Sequence, residues 1–156
     1  MAFSNMKRIL IVYHSQSGST KRLADAVAEG ARLESGVDVR QLRAMEAGIN
    51  DLLWCDGVIF GTPENLGYMS GGLKDFFDRV FYPALSASLN LPYGLFVCAG
   101  NDGSGAIRQL QRIVKGIPLK CIAETVVARG EVKMDDLQRC RDLGQGTAAG
   151  LNLGIF

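Results

Sequence analysis

Two rhythms of hydrophobic and polar positions alternate along this chain. Lys7 to His14 carries the unbroken apolar run Ile9-Leu10-Ile11-Val12-Tyr13, the pattern of a strand buried on both faces. Lys21 to Leu33 switches to helical spacing, with Leu23, Val27 and Ala31 at i, i+4 and i+8 and Ala24 and Ala28 beside them. Gly36 ends that unit. Val37 to Leu42 alternates apolar with polar residues, predicting a strand at a sheet edge with one solvated face. Asn50 then caps a short helix through Leu52, Leu53 and Trp54, and Val58-Ile59-Phe60 forms a third strand that opens into a long loop at Gly61-Thr62-Pro63.

The second half repeats the alternation. Gly72 to Tyr82 predicts a helix, apolar at Leu73, Phe76, Phe77, Val80 and Phe81. Lys74 with Asp78 and Asp75 with Arg79 pair on its outer face, and Pro83 stops it. Leu95 to Cys98 is a fourth strand, followed by the glycine-rich turn Gly100 to Gly105. Ile107, Leu110, Val114 and Ile117 place one stripe on a further helix, closed by Pro118. Leu119 to Ala128 predicts a fifth strand, and Asp135 to Leu151 the last helix. Five strands alternating with helices imply an α/β domain spanning residues 1–156, with a parallel sheet, right-handed crossovers and helices on both faces.

Composition narrows the function classes. The 156 residues are 47% hydrophobic and 21% charged, with a net charge of +1 and acidic and basic residues interspersed, which argues against nucleic acid or an anionic membrane as partner. The apolar run within Met1 to Tyr13 is too short for the core of an export signal, and no stretch is long enough to span a membrane. Cys55, Cys98, Cys121 and Cys140 are widely spaced and three sit in apolar surroundings. They read as buried free thiols in a reducing cytoplasm. No cysteine or histidine cluster has metal-ligand spacing.

In a parallel sheet of this kind, ligands bind beyond the carboxyl ends of the strands, where the strand order reverses. Three loops leave those ends: Ser15 to Thr20, Thr62 to Gly71, and Gly100 to Ser104. The first holds four hydroxyls and one glycine in six residues. At a strand-to-helix turn this supplies what a phosphate needs without metal or lysine: unpaired helical N–H groups, the positive end of the helix dipole, and hydroxyl donors. A plain helix cap would need only one serine. The other two loops bring Pro63, Glu64, Asn65, Tyr68, Asn101 and Asp102, which could flank a planar polar ring. No G-x-x-x-x-G-K-[ST] exists for an NTPase, and no G-x-G-x-x-G follows the first strand. A phosphoacceptor receiver domain fails too, because the third strand ends in Gly61-Thr62-Pro63 rather than an aspartate.

Tyr13-His14-Ser15-Gln16-Ser17-Gly18-Ser19-Thr20 resembles the FMN-phosphate loop of the flavodoxin-like superfamily. The stretch Gly61-Thr62-Pro63-Glu64-Asn65-Leu66-Gly67-Tyr68-Met69-Ser70-Gly71-Gly72-Leu73-Lys74-Asp75-Phe76-Phe77-Asp78-Arg79 resembles the second flavin loop and helix of its NAD(P)H-dependent FMN and quinone reductase branch. The resemblance extends over essentially the whole chain. It implies a flavodoxin-like three-layer sandwich with strand order 2-1-3-4-5 and non-covalent FMN. Ser15, Gln16, Ser17, Gly18, Ser19 and Thr20 would form the phosphate loop. Pro63, Glu64, Asn65, Leu66, Gly67 and Tyr68 would face the isoalloxazine edge, with Gly100, Asn101, Asp102 and Gly103 closing the other side. No catalytic side chain is implied, because the flavin carries the chemistry.

Individual residues each have a plainer role to weigh. Tyr68 stacks on a flavin or packs on the following helix. Trp54 packs behind the third strand. Glu64 and Asn65 orient a ring or merely form a turn. His14 makes a structural hydrogen bond, since a lone histidine supports no catalytic triad. Asp102 lies near a ring or caps the helix after it, and Lys21 and Arg22 are solvated first-turn residues. Two function classes remain: an enzyme passing electrons from NAD(P)H through FMN to a quinone or other small acceptor, and an electron carrier between redox proteins. The near-neutral charge and the absence of a tyrosine in Ala99 to Gly105 favour the enzyme. Many such reductases complete their sites across a dimer or tetramer, to which the Phe76–Tyr82 face could contribute.

Overall fold

In the computed structural model, residues 6–156 are described; the first five residues of the stretch weighed as an export signal lie outside them. The elements run β1 (Lys7–Tyr13), α1 (Ser19–Ala31), β2 (Val37–Arg43), α2 (Ile49–Trp54), β3 (Gly57–Asn65), β4 (Tyr68–Met69), α3 (Gly71–Ala87), β5 (Pro92–Ala99), α4 (Ser104–Gly116), β6 (Lys120–Cys121), β7 (Val126–Arg129) and α5 (Met134–Leu153). The sheet order is β2-β1-β3-β5, with β6 and β7 both on the outer side of β5. These pairings are parallel, and only the small β4 runs antiparallel, against β3. This is the 2-1-3-4-5 order implied by the resemblance, with β5 as its fourth strand and β6 and β7 sharing the place of the fifth.

Side-chain alternation builds two apolar layers. Leu10, Val12, Val58, Phe60, Leu95 and Val97 face α2, α3 and α4, where Phe76, Phe77, Leu110 and Val114 meet them. Ile9, Ile11, Tyr13, Ile59 and Phe96 face α1 and α5. The sheet is therefore buried on both faces, which is why its central strands read as continuous apolar runs. The edge strand β2 is only half-buried, as its alternation predicts. On the second face the two helices touch backbone to backbone. A Cβ on Gly30 would lie 2.0 Å from the Arg141 carbonyl oxygen, and one on Gly144 2.0 Å from that of Val27.

Four expectations need correction. Asn50 is no cap. Gly48 precedes α2 and donates its N–H to Asp51 Oδ2 at 2.9 Å, so the acid three residues on fixes that helix end. The third strand does not end at Phe60 but continues to Asn65, because β4 returns to pair with it. Pro83 does not stop α3. It lies exposed, one turn after exposed Arg79, so the carbonyl left without a donor faces water. The fifth strand is broken: Lys120 and Cys121 pair with Pro92 and Tyr93, then the register slips by two residues before Val126 pairs with Phe96. The slip puts Ile122–Thr125 outside the ladder and leaves Cys121 exposed, so the expectation of buried thiols holds for Cys55 and Cys140 only, with Cys98 half-buried.

Candidate functional site

The central trio β1-β3-β5 ends at the same edge of the sheet, and the three loops that follow meet there. His14 donates its backbone N–H to the Gly61 carbonyl at 3.1 Å, so the chain leaving β1 stays beside β3. Its imidazole lies against Gly72 at the start of α3, where a Cβ would come within 2.2 Å of Nδ1. Glycine is thus required at that contact, where, among the described residues, the imidazole packs rather than making the side-chain hydrogen bond expected of it.

In the first loop, Gly18 donates its N–H to Ser15 Oγ at 3.1 Å. Gly18 then turns left-handed, with φ of +103°, and starts α1 without any side-chain cap. The first bond inside the helix is Arg22 N–H to Gly18 O at 3.0 Å, and the first turn contains no acidic residue. The N–H groups of Ser19, Thr20 and Lys21 therefore stand at the positive end of a 13-residue helix without a capping side chain. Space above Gly18 is open, since a Cβ there would meet nothing within 4 Å. Gln16 and Ser17 are exposed, Ser15 and Ser19 half-buried, and Thr20 buried. Lys21 is turned to Asp25 at 2.9 Å, and that pairing raises its pKa. It is a surface pair, as is usual for a first-turn lysine.

The second loop is a hairpin rather than an open connection. Asn65 pairs with Tyr68 across a two-residue turn, with φ of 53° at Leu66 and 74° at Gly67. Positive φ at both central positions is the geometry that matches strand twist. Glycine adopts it freely, whereas leucine is strained. Leu66 is also fully exposed. The hairpin base is pinned by Thr62, whose buried hydroxyl donates to Pro63 O at 2.8 Å and accepts the Ser70 N–H at 2.9 Å. Ser70, also buried, accepts the Leu73 N–H at 3.2 Å and caps α3. Tyr68 is half-buried against the layer of α2, α3 and α4. Trp54 packs on that same layer, with the Arg40 guanidinium 3.9 Å above its ring.

The third loop, Gly100 to Gly103, leads to α4 through another left-handed glycine, Gly103 with φ of 73°. Here the helix end is occupied. Asp102 Oδ1 accepts the Ser104 N–H at 3.0 Å, which holds its carboxyl below the usual range. Glu64 Oε2 reaches across from the hairpin and accepts the N–H groups of Gly105 at 3.0 Å and Ala106 at 3.2 Å. Asp102 is a cap, and Glu64 is more than a turn former. Of two glycine-led helices at this edge, α4 has its first-turn donors filled by carboxylates, while those of α1 have no such partner.

The loops are also joined to each other. Asn65 Nδ2 donates to Gln16 Oε1 at 3.3 Å. Gly105 lies so close to the hairpin that a Cβ would be 2.0 Å from the Gly67 carbonyl oxygen. The Pro63–Tyr68 hairpin thus touches both the start of α4, just after Gly100 to Gly103, and the Ser15–Thr20 loop. Sequence reasoning passed over Thr62, Ser70, Gly72 and Gly105, whose roles depend on contacts between distant segments. Among the described residues there is no cluster suited to a metal ion. A hollow of about 460 Å³ lies elsewhere, along Met45–Asp51 and Arg79. Two of its charged groups are already engaged: Asp51 with Arg40 at 2.8 Å, and Arg79 with the Ala44 and Ala47 carbonyls at 2.8 Å each.

Known proteins resemble this chain in sequence and fold. Residues 7–133 match the family of NADPH-dependent FMN reductases. A flavodoxin of Aquifex aeolicus is 44% identical over 75 residues, covering 48% of this chain and 40% of its own length. An NAD(P)H dehydrogenase (quinone) of Acidithiobacillus ferrooxidans is 42% identical over 94 residues, covering 47% of each chain. This chain spans less than half the length of either relative. The solved structure of the flavodoxin, WrbA-like protein from Agrobacterium tumefaciens superposes with a TM-score of 0.80 at 26% identity, over 94% of this chain and 98% of that one. With a flavodoxin-like fold and a family match over most of its length, this chain belongs to the NADPH-dependent FMN reductase family.

Proposed function

We propose that the chain is one FMN-binding unit that takes electrons from NADH or NADPH and delivers them to a quinone or another small acceptor. The observation that carries this reading is the open N-terminus of α1, in a segment holding Ser15, Ser17, Ser19 and Thr20, beside a hairpin whose Glu64 fills the other helix terminus at this edge. The donor set fits a phosphate monoester: backbone N–H groups at a helix end, neutral hydroxyls, and no acidic side chain in the first turn. A metal or lysine is unnecessary, since the helix end supplies the positive field.

In this reading Ser15 to Thr20 hold the phosphate, and the Pro63–Tyr68 hairpin and Gly100–Gly103 hold the ring between them. When bound, FMN supplies hydride acceptance and electron delivery. The protein binds, orients and excludes water, which the fixed backbone of the hairpin suits. Glu64 and Asp102 each direct one carboxylate oxygen to the N-terminus of α4. That supports a site in which backbone groups, rather than a catalytic side chain, meet the ring.

The test is an anaerobic titration of FMN-loaded protein with NADH and with NADPH, following the visible absorbance of the oxidised flavin. Rapid bleaching by either nucleotide is expected. Absorbance that resists both but yields to dithionite would overturn the enzyme reading in favour of an electron carrier between proteins.

A further inference from the structure

We propose that Glu64 is a positioning residue that clamps the flavin hairpin onto α4 and so fixes the shape in which the hairpin meets its ligand. The inference rests on the reading of this edge of the sheet as an FMN site.

Three observations on separate residues converge on the clamp. The first is the bond pair itself: one oxygen, Glu64 Oε2, accepts from both Gly105 and Ala106. An ionised acceptor on two helical N–H groups makes a stronger tie than a neutral one, and it sits where the helix dipole favours negative charge. The second is the contact directly beneath, where Gly105 has no side chain and Gly67 O occupies the space. Hairpin and helix meet backbone to backbone at that point.

The third is strain. Leu66 is held left-handed at the hairpin tip, fully exposed, with no packing to reward that conformation. A bulky residue keeps such a φ only where its surroundings impose it. The surroundings here are the β3–β4 pairing on one side and the Glu64 clamp on the other. Among the described residues no other hydrogen bond ties the hairpin to α4, so without the clamp the tip can relax. Glu64 would then act on FMN through the backbone of Asn65, Leu66 and Gly67, without being a catalytic residue.

Because both N–H groups meet the same oxygen, charge and tie can be separated. Glu64→Gln keeps a carbonyl oxygen able to accept both bonds, whereas Glu64→Ala removes them. Two measurements decide. In the ligand-free protein, amide hydrogen exchange of Gly105, Ala106 and residues 65–69 reads the clamp directly. Faster exchange is expected in Glu64→Ala and near-native exchange in Glu64→Gln. In FMN titrations followed by flavin fluorescence, Glu64→Ala should bind about tenfold more weakly, and Glu64→Gln should recover most of that loss.

Native exchange in Glu64→Ala, unchanged FMN affinity in Glu64→Ala, or a Glu64→Gln variant as weak as Glu64→Ala would each overturn the proposal. A wild-type protein that binds no FMN overturns the functional reading instead, and the exchange data still decide whether the clamp exists. Thermal unfolding of both variants separates a loosened hairpin from a misfolded chain: a single cooperative transition is expected in each, with the Glu64→Ala midpoint lowered by no more than several degrees.

Discussion

Asn65 and Gln16, 49 residues apart in the chain, meet side chain to side chain at 3.3 Å and join the hairpin to the loop that precedes α1. The bond is exposed, so its weight in folding is small. Its position is what matters, because it spans the two walls proposed to hold opposite ends of one ligand. Asn65→Ala should leave stability within about 0.5 kcal/mol of wild type. FMN affinity should drop about threefold, the loss of one modest hydrogen bond. Urea unfolding and an FMN titration on the same preparation check both halves.

Helix α5 carries a paired prediction in two glycines two positions apart. Gly144 faces α1, where an added Cβ would meet the Val27 carbonyl oxygen at 2.0 Å. Gly144→Ala should therefore destabilise the protein by about 2 kcal/mol, as overpacking does when neither backbone can move. Gly146 has nothing within 4 Å of the same added atom. Gly146→Ala should stabilise by about 0.5–1 kcal/mol through helix propensity. Thermal unfolding should show the two variants moving in opposite directions.

The thiols predict both a reactivity order and a pH dependence. Burial pushes Cys55 and Cys140 up to about 12, from an ordinary value of 9.0. The folded protein thus holds these protons more tightly than the unfolded chain does. Their contribution to stability is complete below about pH 9 and is lost as pH rises toward about 12. Each thiol removes up to about 1.4 kcal/mol per pH unit across that window. Urea midpoints between pH 8 and 10.5 should fall accordingly. At pH 8 a thiol reagent should label exposed Cys121 first and leave Cys55 and Cys140 unmodified until the chain unfolds.

The central strands were legible because they are buried on both sides, which writes itself as runs such as Ile9 to Tyr13 and Val58 to Phe60. The phosphate-type loop was legible because its chemistry is local: hydroxyls and a glycine within six residues. What escaped depends on distance in the chain. Nothing near Glu64 in sequence announces α4, and nothing near Thr62 announces Ser70 eight residues later. The continuation of β3 past Phe60 likewise needs β4 to return, and Leu66-Gly67 is not the Asn-Gly pair that usually signals such a turn. Pro83 misled for the opposite reason. Its local rule is sound, but the exposed face of α3 lets water satisfy what the rule assumes must be lost.

At this edge of the sheet α1 has an open N-terminus and α4 a filled one. The most direct test is to measure the dissociation constants of FMN and of riboflavin, which lacks only the phosphate, for wild type and for Ser17→Ala/Thr20→Ala. Wild type should prefer FMN by about a hundredfold or more, a difference of about 2.7 kcal/mol, and the double variant should lose much of that preference while binding riboflavin as before. Equal affinity of wild type for the two flavins, or an undiminished preference in the double variant, would contradict the assignment of the phosphate to α1.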